Sequence, residues 1–399
     1  MPNKKIYLSS PTMHGEEQKY IKEAFDTNWV APLGKNVDEF EKEMASYVGT
    51  KCAAALTSGT AALHLALKLA FKDLYGDNKS AGTVGAQLLQ KGQPQPEVLC
   101  SDMTFAATVN PVAYEGGRQV FVESERTTWN MDPAALEEAF KKHPNAKIVL
   151  VANLYGTPSQ LEEISAIAKA HDAILIEDAA ESLSATVKMS DGSVKSTGTF
   201  GKYNAISFNG NKIITTSSGG MLLSDDEEAI AKARFWATQA RDQAPWYEHS
   251  ELGFNYRMSN IIAGIGRGQL PHIEEHRQKK EWIYNYYKEA LKDLPIEMNP
   301  YKEGDKPNFW LSCLTINKDT IAKGVTPEKL AAALTEQNIE SRPIWKPMHL
   351  QPVYKGHDFV TLSDPVGDDV FARGICLPSD IKNTEEDMEL IVKTIKSVF

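Results

Sequence analysis

The sequence predicts an α/β fold: a large unit with a mostly parallel central sheet, followed by a smaller α+β unit. Three observations carry this. Lys147-Ile-Val-Leu-Val-Ala is a continuous apolar strand, Leu161, Ile164, Ile167 and Ala168 recur at helical spacing, and Ala173-Ile-Leu-Ile is a second strand. That spacing fits a βαβ unit, whose two strands run parallel with a right-handed crossover. Cys52–Leu56 reads as another short buried strand, running through Thr57-Ser58-Gly59-Thr60 into an apolar helix from Ala61 to about Phe71. At the other end, strand and helix patterns alternate at Trp310–Ile316, Thr326–Gln337, Glu340–Ile344 and Glu385–Val398. With 399 residues the chain exceeds one ordinary core, and we expect units at 1–265 and 266–399.

In chain order, Tyr20, Ile21, Ala24 and Phe25 mark a first helix, and Asn28-Trp-Val-Ala-Pro-Leu-Gly34 a turn. Val37, Phe40, Met44 and Tyr47 then share one face of a second helix. Residues 76–97 are rich in Gly, Ser, Gln, Asn and Pro and read as a surface loop or insertion, with a short helix near Val84–Leu89. Such a segment either leaves the chemistry untouched or adds wall to a pocket. Strands are expected near Val98 and at Val120–Val122, with a helix starting near Ala106. A polar helix covers about Asp226–Arg241. From Ser259 to about Leu291 a long helical pattern, kinked or broken at Pro271, looks like a connector between the units.

The bulk properties exclude several classes. A formal net charge of −10, with no dense Lys/Arg block, gives no support for nucleic-acid binding. No apolar run approaches the roughly 18 residues that would span a bilayer. The four cysteines (Cys52, Cys100, Cys313 and Cys376) are scattered, so reduced thiols in the cytoplasm are expected. No metal spacing is formed by them. His272-Ile-Glu-Glu-His276 matches a zinc-peptidase pattern, but its neighbours are so rich in charge that a solvated helix face is the expectation. Gly264-Ile-Gly-Arg-Gly268 does not follow a strand and is no dinucleotide fingerprint.

The chemistry-bearing residues converge instead on strand ends. Ile176-Glu-Asp-Ala-Ala-Glu181 places Asp178 and Glu181 where the second strand of the βαβ unit stops, the edge at which open α/β sheets bind ligands. An unpaired carboxylate there is costly unless it meets a cation or hydrogen-bond donors. Lys212, in Ser207-Phe-Asn-Gly-Asn-Lys212, is presented at a turn of small and amide-bearing residues, the setting in which a lysine becomes nucleophilic. Ser58, Gly59 and Thr60 open a helix and offer free N–H groups to an anion. Ser207 adds a hydroxyl, and Phe105 could cover a planar ring. A Schiff-base lysine, an acid partner for a pyridinium nitrogen and a phosphate cradle are the parts that pyridoxal phosphate requires.

Over nearly its whole length the chain resembles the DegT/DnrJ/EryC1/StrS family of sugar aminotransferases. These are fold type I (aspartate aminotransferase-like) enzymes dependent on pyridoxal 5'-phosphate. The strings Asn28–Gly34, Ser58–Leu63, Met103–Phe105, Ile176–Glu181, Ser207–Lys212 and Gly253-Phe-Asn-Tyr-Arg-Met258 carry the likeness. It is most similar to members that aminate carbon 4 of UDP-linked 4-keto-6-deoxy sugars in the bacillosamine pathway of protein glycosylation. The resemblance implies that Lys212 is the catalytic lysine holding the cofactor, that Asp178 pairs with the pyridinium nitrogen and that Phe105 stacks on the ring. Ser58, Gly59, Thr60 and Ser207 would bind the phosphate, with Asn255 reaching it from the other subunit of a homodimer. Glu181 stands where many members have His or Gln, near the cofactor's phenolic oxygen. Asn28, Trp29, Val30 and Ala31 match a loop lining the nucleotide-sugar pocket. L-Glutamate is the implied amino donor and UDP-2-acetamido-2,6-dideoxy-4-keto-hexose the implied acceptor. The alternatives are 3-keto or GDP- and dTDP-linked acceptors, a dehydratase, in which a His replaces the lysine, and a non-catalytic regulator.

Overall fold

In the computed structural model, which describes residues 4–77 and 82–399, eight strands build the large sheet. Their order is Cys52–Leu56, Gly220–Ser224, Tyr203–Ser207, Ile174–Asp178, Ile148–Ala152, Glu97–Ser101, Arg118–Val122 and Asp358–Val360. From Tyr203–Ser207 to Asp358–Val360 all neighbouring pairs are parallel, whereas Gly220–Ser224 runs against both of its neighbours. Two reversals leave Cys52–Leu56 pointing with the parallel set. The residues after Leu56, Ser101, Asp178 and Ser207 therefore emerge at one sheet edge.

The expected βαβ unit is Ile148–Ala152, Leu161–Ala170 and Ile174–Asp178, with Ile148 opposite Ile174 and Ala152 opposite Asp178. Ile148–Ala152 is buried throughout because both faces of the sheet are covered. Ile148 and Leu150 join one core, and Val149 and Val151 the other. The helix Gly59–Tyr75 is apolar around most of its circumference and is correspondingly buried between the sheet and neighbouring helices. Among the described residues no helix is long and apolar enough to cross a membrane.

The long helical pattern after Ser259 divides into Asn260–Gln269, a tight turn Leu270–His272 and Ile273–Ala290. Pro271, lacking an N–H, sits in that turn. Beyond it an antiparallel sheet has the order Ile296–Met298, Ser312–Ile316, Gly374–Leu377, Arg342–Pro343. Its core takes Leu330 and Leu334 from the helix Pro327–Glu336, Ile391 and Ile395 from Glu385–Lys396, and Ile6 from near the amino end. Two strands are shorter than expected. Trp310 and Leu311 stay outside the first because Phe309, at φ 53°, turns the chain through the left-handed region. The other shrinks to Arg342–Pro343, since Pro343 cannot donate to the ladder. The C-terminal part also returns Asp358–Val360 to the large sheet.

Of the segment 76–97, residues 78–81 lie outside the described residues. The helix Val84–Gln90 packs through Gly85 on the carbonyl of Gly116, where an added Cβ would come within 1.9 Å. Gly116 precedes the strand Arg118–Val122, so this helix lies at the opposite edge of the sheet from Asp178.

Candidate active site

A cavity of about 330 Å³ opens at the carboxyl edge of the large sheet. Its walls include Ser58, Gly59, Thr60, Phe105, Asp178, Glu181, Ser207 and Lys212.

One wall is built to face an anion. The Ser58 hydroxyl accepts the Ala61 N–H at 3.0 Å and caps the helix Gly59–Tyr75. The N–H groups of Gly59 and Thr60 lie in its first turn and have no intrahelical acceptor, and the helix dipole adds positive potential there. Two glycines let the strand ends close on this turn. A Cβ on Gly59 would stand 2.9 Å from that of Ser207, and one on Gly220 would stand 2.3 Å from the Gly59 nitrogen.

Asp178 forms another wall. Its Oδ2 accepts the Thr108 hydroxyl at 2.7 Å and its Oδ1 the Ala180 N–H at 3.0 Å. Thr108 in turn accepts from Thr104 at 2.6 Å, which fixes its rotor toward Asp178. Burial pushes the Asp178 carboxyl above its usual range, with Thr108, Ala180 and Lys212 pulling the other way. Two neutral donors leave this carboxylate suited to a cationic N–H.

The amine arrives from the loop after Tyr203–Ser207. The Lys212 N–H donates to the Asn209 carbonyl at 3.0 Å, closing the expected turn. Its Nζ donates to Glu181 Oε1 at 3.3 Å and lies 4.0 Å from the centre of the Trp310 ring. Trp310 is held by its indole N–H on the Asn211 carbonyl at 2.6 Å, so the lysine loop and the ring beneath it are one assembly. Burial pushes the Glu181 carboxyl up to about 7, against the opposing pull of Lys212. Its Oε2 accepts the Tyr155 N–H at 2.8 Å, and Tyr155 holds a left-handed φ of 54° to present that group. At the mouth Phe105, 57% exposed, meets Trp345 with 5.3 Å between ring centres.

Two groups of candidates lie elsewhere in the single chain. Asn255 is exposed and lines no part of the cavity, because Phe254 and Tyr256 on either side of it turn inward onto His64. Asn28, Trp29 and Val30 are exposed as well. Their turn is anchored by the Asn260 side chain on the Trp29 carbonyl at 3.0 Å and the Asn260 N–H on the Ala31 carbonyl at 2.8 Å.

Of the solvated face expected at His272–His276, Glu274 and Glu275 are exposed, while Ile273 and His276 turn inward. The helix has two faces: Ile273, His276, Arg277 and Lys280 are buried, whereas Glu274, Glu275 and Gln278 face solvent. His276 donates its Nδ1–H to the Ile213 carbonyl at 2.7 Å, and His14 reaches its Nε2 from the amino-terminal segment.

Sequence reasoning missed Thr108, Tyr155, Trp310 and Trp345. Thr104 and Thr108 carry a faint signal, hydroxyls four residues apart across a helix start. The three aromatics carry none, since each reads as ordinary core.

A profile of the DegT/DnrJ/EryC1/StrS aminotransferase family matches residues 11–396. The chain is 44% identical over 404 residues to a Bacillus subtilis protein described as a putative pyridoxal phosphate-dependent aminotransferase, EpsN, covering all of this chain and 96% of that one. It is 32% identical to the GDP-perosamine synthase of Caulobacter vibrioides, covering 99% and 98%. Among solved structures it superposes on Helicobacter pylori PseC, an aminotransferase of pseudoaminic acid biosynthesis, with a TM-score of 0.84 at 22% identity, covering 99% of both chains. A Brucella abortus aminotransferase of the same family matches with a TM-score of 0.80 at 25% identity, covering 96% and 95%.

Proposed function

The chain belongs to the DegT/DnrJ/EryC1/StrS aminotransferase family, and from that premise we propose which amino group it moves, and onto what. It is a sugar aminotransferase of fold type I with pyridoxal phosphate as cofactor. The proposed donor is L-glutamate and the proposed acceptor carbon 4 of a UDP-linked 4-keto-6-deoxy sugar, UDP-2-acetamido-2,6-dideoxy-4-keto-hexose, in glycan biosynthesis. The resemblance in Val30-Ala-Pro-Leu-Gly34 and Asn209-Gly-Asn-Lys-Ile-Ile-Thr-Thr-Ser217 supports carbon 4 and UDP. The 32% identity to a GDP-perosamine synthase favours a second reading, the same chemistry on a GDP-linked sugar.

The donor set fits the cofactor. Glycines at 59 and 220 let Ser207 and the strand end pack tightly on the helix start, which fixes its unpaired first-turn N–H groups in a position suited to a phosphate. Asp178 is a buried carboxylate with room for one cationic donor. Among the described residues lining the cavity, Lys212 is the one lysine or arginine. The coexistence of these three groups in one cavity carries the functional reading.

When bound, pyridoxal phosphate supplies an aldehyde that condenses with amines and a ring that takes up the electron pair left on a substrate carbon. The chain's own part is to hold and to move protons. Lys212 Nζ is placed as the base that takes the proton from the donor's α-carbon and as the acid that returns one to the sugar carbon. Glu181, with its carboxyl near 7, can accept a proton from Lys212 Nζ across 3.3 Å and so free the amine as a base. Asp178, oriented by Thr108 and Ala180, would hold a negative charge toward the ring nitrogen. Gly59, Thr60 and Ser207 would hold the phosphate. Asn255 and the Asn28–Ala31 turn, both away from this chain's cavity, are proposed to complete the site of a second copy in a homodimer.

Incubation of the protein with glutamate and a panel of UDP-, dTDP- and GDP-linked keto sugars tests the assignment. The UDP-4-keto sugar should give the 4-amino product. A preference for the GDP sugar would select the second reading, and a deoxy-keto product formed without an amino donor would replace transamination by dehydration.

A further inference from the structure

Asp102, the residue after the strand Glu97–Ser101, is completely buried and grips a segment of the C-terminal unit at three points. Its main-chain carbonyl accepts the Met348 N–H at 3.0 Å, its Oδ1 the His349 N–H at 2.9 Å, and its Oδ2 lies 2.7 Å from His349 Nδ1, which donates. The other ring nitrogen, Nε2, is 3.3 Å from Asp368 Oδ1 on the helix Val366–Arg373. Phe359 stacks flat on the imidazole, with 3.9 Å between ring centres and a 6° tilt. Glu123, at the end of the strand Arg118–Val122, is the third carboxylate in this nest. Its Oε1 takes the N–H groups of Ser124 and Gly367, while Glu123 Oε2 and Asp368 Oδ1 are buried without a hydrogen-bond partner.

Asp102 and Asp368 therefore flank the two ring nitrogens, Glu123 adds a third negative charge nearby, and Phe359 covers the ring face. Burying Asp102 and Glu123 is expensive unless the imidazole carries its second proton. Burial by itself would discharge His349, but Asp102, Asp368 and Glu123 outweigh it and hold the imidazole above its usual pKa. Burial also raises Asp102.

The clasp adjoins the mouth of the cavity on both of its strands of chain. Phe105 lies three residues after Asp102, and Trp345 four residues before His349. The Trp345 N–H donates to the Tyr155 hydroxyl at 2.9 Å, so the segment 345–349 is pinned at its start by Tyr155 and at its end by Asp102. Phe105 and Trp345 meet between those pins.

We propose that His349, bridging Asp102 and Asp368, is a positioning residue that holds Phe105 and Trp345 together as the wall of the cavity mouth and thereby sets how tightly the sugar substrate binds. The proposal rests on reading this cavity as the aminotransferase site. A wall that loosens costs binding of a large acceptor more than it costs proton transfer at Lys212.

Steady-state kinetics over pH 6–9 on the wild type, His349→Ala, His349→Asn and Asp368→Asn test it. His349→Ala should raise KM for the nucleotide sugar about 10-fold with kcat little changed. His349→Asn, which keeps a donor toward Asp102, should recover part of that loss. Asp368→Asn removes one anion and should lower the pH above which KM climbs, because the imidazole then gives up its proton more easily. Identical KM–pH profiles for Asp368→Asn and wild type would overturn the clasp, as would a loss confined to kcat in both His349 variants. If the wild type turns over no sugar of the panel, the functional reading fails by itself. Absorbance titration with pyridoxal phosphate then judges the clasp, which predicts weaker binding by His349→Ala than by His349→Asn and is overturned by equal affinities.

Discussion

Lys212 and Lys280 both reach Trp310, the first over its ring at 4.0 Å and the second by donating to its carbonyl at 3.0 Å. Lys280 spends a second N–H on the Ser379 carbonyl at 2.9 Å and is buried, which pushes its ammonium down to about 8. Its partners are backbone carbonyls, which neither titrate nor move. Lys212 has a carboxylate partner that titrates near neutrality and an aromatic face that imposes no direction, and it lies in an open cavity. Burial alone does not make a lysine reactive. A reactive lysine needs a partner that can take its proton and a neighbourhood that lets it swing.

The largest test of that contrast is Lys212→Ala. It should lower turnover by on the order of 10⁴-fold or more, since nucleophile and proton carrier are lost together, while far-UV circular dichroism and the thermal midpoint stay close to wild type. Asp178→Asn comes next. It keeps the shape but not the charge, and it trades one of the two acceptor oxygens for an NH2 donor; kcat should fall roughly 10²–10³-fold with the fold intact. Lys280→Met should do the reverse, costing about 1–3 kcal/mol of stability in urea titration by stranding two buried carbonyls, while kcat stays within an order of magnitude.

The pH dependence of apoprotein stability separates the two sites further, with opposite signs. The folded protein holds the Lys280 proton less tightly than the unfolded chain does. Its contribution therefore grows as pH rises from about 8 toward the ordinary lysine value, by at most about 3 kcal/mol, and Lys280→Met should lose that rise. Glu181 is held more tightly protonated when folded. Its contribution is complete below about pH 4 and is lost as pH climbs through about 7, so Glu181→Gln should flatten the decline in that window. The pH–kcat profile of Glu181→Gln should also lose its limb near 7, the smallest of these effects if Lys212 can shed its proton to solvent.

Lys212 was legible in the sequence because its surroundings are local. A turn of Asn, Gly and Asn after a buried strand is written in consecutive residues, as are the Ser58–Thr60 helix start and the strand ending in Asp178. Lys280 was not legible, for the same reason. Its neighbours along the helix are charged, and only the packed structure shows that Ile273, His276 and Lys280 lie on the inward face. Trp310, Tyr155 and Trp345 reach the cavity from chain segments far apart in sequence and resemble core aromatics in any window. The strand Asp358–Val360 has three residues, too few for a period of two to register.

The most direct test loads the protein with pyridoxal phosphate, reduces it with borohydride, digests it and locates the added mass by tandem mass spectrometry. The account predicts the label on Lys212 and none on Lys280. A label on Lys280, or on any other lysine with Lys212 unmodified, would contradict it.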